Sequence, residues 1–381
     1  MKNFQISFIS SISEIDKSDY QSLLHTDYPF IQYEFLNALE SSGAVSEQTG
    51  WKVCHLIIKQ HQTLIAFMPL YLKSHSYGEY VFDFEWAKAY QENGFQYYPK
   101  LLSAIPFTPV TGSRICHLPE FNITDLAPLI FDAIQKYAKS KIASSWHLLF
   151  PQQQLSTELN KLDLMQRTGV QFHWLNQLYN NFDDFLKAIT SKRRKDIRRE
   201  RKKVVQQEVQ LSFIEGKDID QTLWKKFYLF YQLTYAKRSG HGGYLSELFF
   251  QIIGKKMPEN IVLVTASIKD DLVAASLFFK DKNTLYGRYW GCKQEYDFLH
   301  FEACYYQGIE YCIKHQLNKF DAGAQGEHKL QRGFEPVETW SNHWIEDASF
   351  SDAIRHHLQQ EKLYTGHYFA AASKKSPYKK C

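Results

Sequence analysis

No cysteine pair and no long apolar run occur in these 381 residues. The six cysteines, Cys54, Cys116, Cys292, Cys304, Cys312 and Cys381, include no C-x-x-C spacing. They read as small core residues in a reducing compartment, not as a disulfide frame or a zinc site. No apolar stretch approaches the roughly 20 residues that a membrane helix requires. The opening MKNFQISFISSISEIDKSD is interrupted by polar residues throughout and lacks the apolar segment of a secretory signal, so a cytoplasmic location is expected. A large excess of one charge is missing too, the net charge being +4; that favours anionic ligands only mildly and decides nothing. No His spacing suited to a metal is present, so no metal is expected. No helix-turn-helix or zinc-finger word occurs, so DNA is not expected as a partner.

What is present suits a core-forming α/β (α+β) protein of two domains, with 44% apolar and 16% aromatic residues. Strand-like runs at 51–58 and 63–71, joined by the polar turn KQHQ, read as an antiparallel hairpin. Runs at 261–268 and 272–279 flank KDD in the same way, and a third strand follows at 284–289. Each hairpin is followed by a helix and a further strand: 126–138 then 146–150, and 301–315 then 319–322. The order of elements repeats while the residues hardly do, which predicts two units built alike.

The densest stretch is 285–336. Phe301, Cys304, Tyr305, Gly308, Ile309, Cys312 and Ile313 recur three and four apart, the period of a helix with one buried face. His300 and Glu302 stand at its start. After the next strand, a loop with Gly323, Gly326 and Gly333 brings Gln325, Glu327, His328, Lys329 and Arg332 together at a strand end, where chemistry tends to sit.

Long words along the chain carry a resemblance: PFIQYEFLNALESSGAV at 29–45, MPLYLKSHSYGEYVFD at 68–83, YYPKLLSAIPFTPVTGSR at 97–114, RTGVQFHW at 167–174, RRKDIRRER at 193–201 and GAQGEHKLQRGFEPV at 323–337. The chain resembles bacterial N-acyltransferases labelled peptidoglycan biosynthesis or recognition proteins, which are similar to the Fem-type branch of the GNAT superfamily. The resemblance implies tandem GNAT-like domains with mixed sheets flanked by helices. We place them at 1–175 and 211–381, with a basic helical connector at 176–210. It implies no permanently bound cofactor, and acyl-CoA or an aminoacyl-tRNA as co-substrate. The acceptor would be a small-molecule or peptide amine.

Several residues then acquire candidate roles. Acyl transfer to an amine needs a proton acceptor and a stabilised oxyanion. Glu327 or His328 is the expected base or orienter, with Glu302 as the alternative. Lys329 and Arg332 would hold an anionic donor or acceptor, with Gln325 and His300 beside them. GNAT enzymes bind the CoA pyrophosphate in a Q/R-x-x-G-x-G/A loop, and Arg288-Tyr-Trp-Gly291-Cys-Lys293 is the nearest counterpart. Its last position departs from the pattern, leaving Gly291 for a turn and Arg288 for a structural pair as the plainer reading. His75 and Glu79, in an aromatic-rich stretch at 72–90, are candidate substrate contacts expected to close a groove against the second half, while the rings of that stretch either stack an acceptor or fill a core.

Ser191–Lys203 holds nine Lys or Arg in thirteen residues. It is either a solvated helix or a landing strip for phosphates, with Arg193, Arg194, Arg198 and Arg199 as its candidate contacts and tRNA as an open partner. A non-catalytic module binding cell-wall peptide or nucleic acid is the alternative to an enzyme.

Overall fold

The structure, a computed structural model, describes residues 4–324 and 326–379. It divides into two compact units: residues up to Gly169 with Glu338–His367, and Val170–Val337 with the residues from Tyr368 onward. The expected linear division is therefore crossed by the chain. Residues 338–367 belong with the first unit, and the basic stretch lies inside the second.

The first unit contains β1 (Phe4–Ile9), β2 (Trp51–Val53), β3 (His55–Gln60), β4 (Thr63–Met68), β5 (Tyr71–Lys73), β6 (Lys100–Ser103), β7 (Cys116–His117) and β8 (Ser145–Leu149). The hairpin expected at 51–71 is there, but each arm is broken. β3 pairs with β4, whereas β2 pairs with β5. The breaks fall at Cys54 and at Pro69-Leu70, where proline has no N–H to give a ladder; Cys54 N–H still bonds the Leu70 carbonyl at 3.0 Å. His61 and Gln62 both have positive φ, as a two-residue hairpin turn with the strands' own twist requires. β5 and β6 are antiparallel and β6 and β8 parallel. A parallel pair needs a crossover, and the helix Ile123–Lys141 supplies it. Leu126, Ile130 and Ile134 from that helix meet Leu56, Leu101 and Trp146 in the core.

β9 (Met165–Leu175) carries the chain out of the first unit. In the second, β10 (Val209–Glu215), β11 (Ile261–Ile268), β12 (Asp271–Lys280) and β13 (Thr284–Cys292) are antiparallel in succession. β14 (Lys319–Asp321) lies parallel to β13, and the last residues of β9 pair antiparallel with β14. β12 is buried along nearly its whole length, which is why VAASLFF shows no alternation. β15 (Glu335–Ile345) returns the chain to the first unit and pairs antiparallel with β8.

The two units thus repeat one sequence of senses: antiparallel strands, then a parallel pair joined by a helix, then an antiparallel strand supplied by the other half of the chain. The last two strands match residue for residue. Phe320 faces Trp174 and Asp321 faces His173 in one unit; Trp146 faces Trp344 and His147 faces His343 in the other. Among the described residues no helix is long and apolar enough to cross a membrane.

Candidate functional site

The parallel strands β13 and β14 pair only over Thr284–Tyr286 and Lys319–Asp321. Beyond that, β13 runs on to Cys292, while the other chain turns off through Gly323 at φ 89°. A wedge opens between them. On its β13 edge, Leu277 pairs with Tyr289 and Phe278 with Gly287, so Arg288 is the extra residue of a bulge, a device that re-aims a side chain. Gly291 has a packing reason: a Cβ there would lie 2.2 Å from the Phe230 carbonyl. That accounts for the glycine without a ligand. Next to the end of β13 is a cavity of about 560 Å³, lined by Leu233, Lys237 and Arg238 of the helix Gln221–Ser239, by Trp290 and Cys292, and by the chain from Lys293 to Phe301.

The helix after that cavity runs from Leu299 to Lys314, with one π turn at Glu302–Tyr306 where the Gln307 N–H bonds the carbonyl five residues back. Such a widened turn often marks a functional position. Here it buries five consecutive side chains. Tyr305 Oη lies 2.8 Å from His328 Nε2, and the His300 ring packs on Trp290 and Tyr305. Burial, with Arg238 next, pushes His300 down to about 3; burial, with Arg332 and Lys329, pushes His328 down to about 4. Both imidazoles are therefore neutral at neutral pH. Lys329 is 1% exposed and donates to the Gly323 carbonyl. Burial lowers it to about 8 despite the nearby Asp321. Burial alone would raise Asp321, but His173 at 3.4 Å and the Gly323 N–H hold its carboxyl well below the usual range.

Several expected site residues are engaged elsewhere. Arg332, expected to hold an anion, is buried and forked onto Glu200 at 2.7 and 3.1 Å, with its guanidinium over the Phe301 ring. Tyr306 adds a 2.5 Å bond to the same carboxylate. Glu302 accepts two bonds from Arg201 and one from Gln307, which makes it an anchor for the basic helix and occupies three of a carboxylate's roughly four lone-pair sites. Glu327 is exposed and lies 4.0 Å from Lys375, with Tyr368 also bonded to it. Gln325 lies outside the described residues, as does Cys381. Of the strand-end loop, then, His328 and Lys329 turn toward the wedge and the π turn, and Glu327 does not.

The basic segment is the helix Ser191–Gln206, with Ile197, Glu200 and Val204 inward. Arg198 and Arg199 are 61% and 71% exposed, each near one carboxylate, Asp183 and Asp196 respectively. Arg193 is tied to Gln331 and Asp196, and Arg194 bonds Ser191. The helix reaches the cavity rim through Gln207, which bonds the Asp297 backbone at 3.0 Å.

The profile of the FemAB-like family, described as peptidoglycan biosynthesis/recognition, matches residues 11–380. The chain belongs to the FemAB-like family. The solved structure of FemX is similar, with a TM-score of 0.53 at 12% identity, covering 92% of this chain and 100% of that one. So is the C-terminal domain of a putative lysylphosphatidylglycerol synthetase from Agrobacterium fabrum, at 0.51 and 10%, covering 90% and 96%. A tandem GNAT protein from the clavulanic acid biosynthesis pathway aligns at 0.49 and 7%, over 90% and 98%. No curated protein matches significantly. The fold is thus shared with FemX and with that synthetase domain, and family membership associates the chain with peptidoglycan-related processes.

In the first unit of this FemAB-like protein, the stretch at 72–90 closes over a buried ionic cluster. Lys100 donates to Asp83, to Glu79 at 2.7 Å and to Ser76 at 2.8 Å. Tyr97 donates to Asp83 at 2.6 Å and lies 3.0 Å from His147, whose other nitrogen meets His343 at 2.7 Å. Glu79 is 4% exposed, so it serves this cluster and not a surface ligand. His75 bonds the Thr49 carbonyl and the Tyr77 N–H. Sequence reasoning missed Arg238, Tyr305, Asp321 and His173 in the second unit and Lys100 and His147 in the first. One signal was available: the dipeptide His-Trp occurs at 173–174 and at 343–344, the same place in both repeats.

Proposed function

We propose that this FemAB-like protein is an N-acyltransferase that moves an acyl or aminoacyl group from a thioester or aminoacyl-tRNA donor to an amine. The observation that supports this reading best is the cavity beside the parting of β13 and β14, with neutral His300 on its wall and Arg238 and Lys237 at its rim. With Lys237 paired to Glu295, Arg238 suits a donor that carries phosphate. Its carbonyl would enter the wedge, where Arg288 and Lys329 bring positive charge toward the oxygen that becomes negative. A neutral imidazole can accept a proton, and His328, oriented by Tyr305, is the base. The amine attacks the carbonyl carbon, the C–N bond forms as the bond to sulfur or ester oxygen breaks, and His328 takes the proton. The donor is a co-substrate, and the protein holds no permanent cofactor. The acceptor is a peptidoglycan-related amine.

Purified protein supplied with acyl-CoA or aminoacyl-tRNA and a panel of cell-wall peptides should release free CoA or free tRNA only when an amine is present. Saturable binding of those peptides with no donor consumed under any pairing would reject the enzyme in favour of a binding module.

A further inference from the structure

The helix Gln221–Ser239 is apolar on both sides. Trp224, Phe227, Phe230 and Tyr231 are buried, yet Leu229 and Leu233 are 50% and 42% exposed. A helix that is hydrophobic all round is normally covered all round. At about 100° per residue, Leu229 and Leu233 fall in the middle of an outward sector about 120° wide, with Lys225 on one margin and Lys226 and Lys237 on the other. Those three lysines are exposed. Leu248, 48% exposed, stands on the helix Glu247–Lys256, which packs beside it and ends in Lys255 and Lys256. The acidic groups near this face are turned to partners: Glu247 accepts from Gln251 at 2.8 Å, and Glu295 pairs with Lys237.

We propose that this face docks on a lipid bilayer carrying anionic headgroups. Leucines flanked by lysines suit the boundary between acyl chains and charged headgroups, where apolar burial and electrostatic attraction act together. A nucleic acid would use the lysines and gain nothing from the leucines, and the basic helix already offers a more highly charged surface for one. Leu233 and Lys237 also line the cavity, so docking brings the cavity mouth to the membrane surface. Docking through this face requires no acyl-transfer chemistry.

Co-sedimentation with vesicles tests it. The full chain should bind vesicles of phosphatidylglycerol and phosphatidylcholine and not vesicles of phosphatidylcholine alone, and binding should weaken between about 50 and 200 mM salt, because screening shortens electrostatic reach. Leu229→Gln with Leu233→Gln should reduce bound protein at least about tenfold at unchanged thermal midpoint, since apolar burial supplies part of the attraction; Lys225→Gln with Lys226→Gln should weaken binding and flatten its salt dependence. Failure to bind anionic vesicles overturns the proposal. So does binding that the leucine pair leaves intact, which would assign it to the basic helix alone. Self-association that is lost in the leucine variant, without vesicle binding, would make a second copy the occupant and overturn it equally.

Discussion

His328 and Glu327 are neighbours in sequence with opposite surroundings, and that contrast gives the sharpest single-residue test. His328 is half-buried, neutral and bonded to Tyr305, whereas Glu327 is exposed beside Lys375. His328→Asn should lower turnover by about 10²–10⁴ with folding intact, and Glu327→Gln should leave it nearly unchanged. The measurement is single-turnover acyl transfer, and equal loss in both variants would remove His328 from the role of base. In the first unit, Glu79 makes a pH prediction. Burial raises its carboxyl to about 7 from ~4.3 in an unfolded chain. The native state thus keeps a proton that the unfolded state has released, and this group makes stability fall as pH rises from ~4.3 toward 7. Lys73, lowered by burial to about 7, acts in the next window with the opposite sign: there the unfolded state holds the proton and stability rises with pH. Glu79→Gln should flatten the loss between about pH 4.5 and 7 in urea titrations. An unchanged slope would show that Glu79 is ionised in the fold like an ordinary carboxylate.

The basic helix shows how an element's sequence can conceal its own inward face. Its charges read as a solvated run, yet Glu200 and Arg201 are among its inward-facing anchors, because Arg332 and Glu302 come to meet them from more than a hundred residues away. Glu200→Ala would leave Arg332 buried without a counter-charge and should cost about 3–5 kcal/mol, whereas the double change with Arg332→Met should cost clearly less. Additive losses in denaturant melts would mean that the two do not act as a pair. On the outer face, Arg198→Gln with Arg199→Gln should flatten the salt dependence of tRNA binding by about 0.7–0.9 log unit for each phosphate no longer neutralised, and no change in slope would return that face to solvent. The helix at 299–314 was legible because a 3.6-residue period needs no partner to be seen. Its π turn was not, since Tyr305 and Tyr306 reveal their directions only once His328 and Glu200 are in place. The break at Cys54 was equally hidden, because an apolar strand reads the same whichever strand it pairs with, whereas Pro69 was a visible sign of the other break.

At the scale of the whole chain, the order of strands and helices in each half already announced two similar units, but the exchange of their last strands did not appear in it. β8 finds its antiparallel neighbour in residues 341–345, and β14 finds its own in 173–175. Trp344 packs on the first unit's core and Trp174 within the second's, so each half of the sequence carries a piece of the other's interior. A cut between the apparent domains should therefore damage both. A fragment ending at residue 169 lacks Trp344 and leaves His147 without His343. Losing one buried aliphatic side chain such as Ile345, which goes with the same strand, alone typically costs about 2–5 kcal/mol, a large share of the roughly 5–15 kcal/mol that holds a domain folded. The fragment should accordingly unfold without a cooperative transition, while the same fragment joined through a flexible linker to residues 338–367 should regain one. Calorimetry of the two proteins decides the matter: a sharp transition of equal midpoint in both would show that β15 contributes little to the first unit.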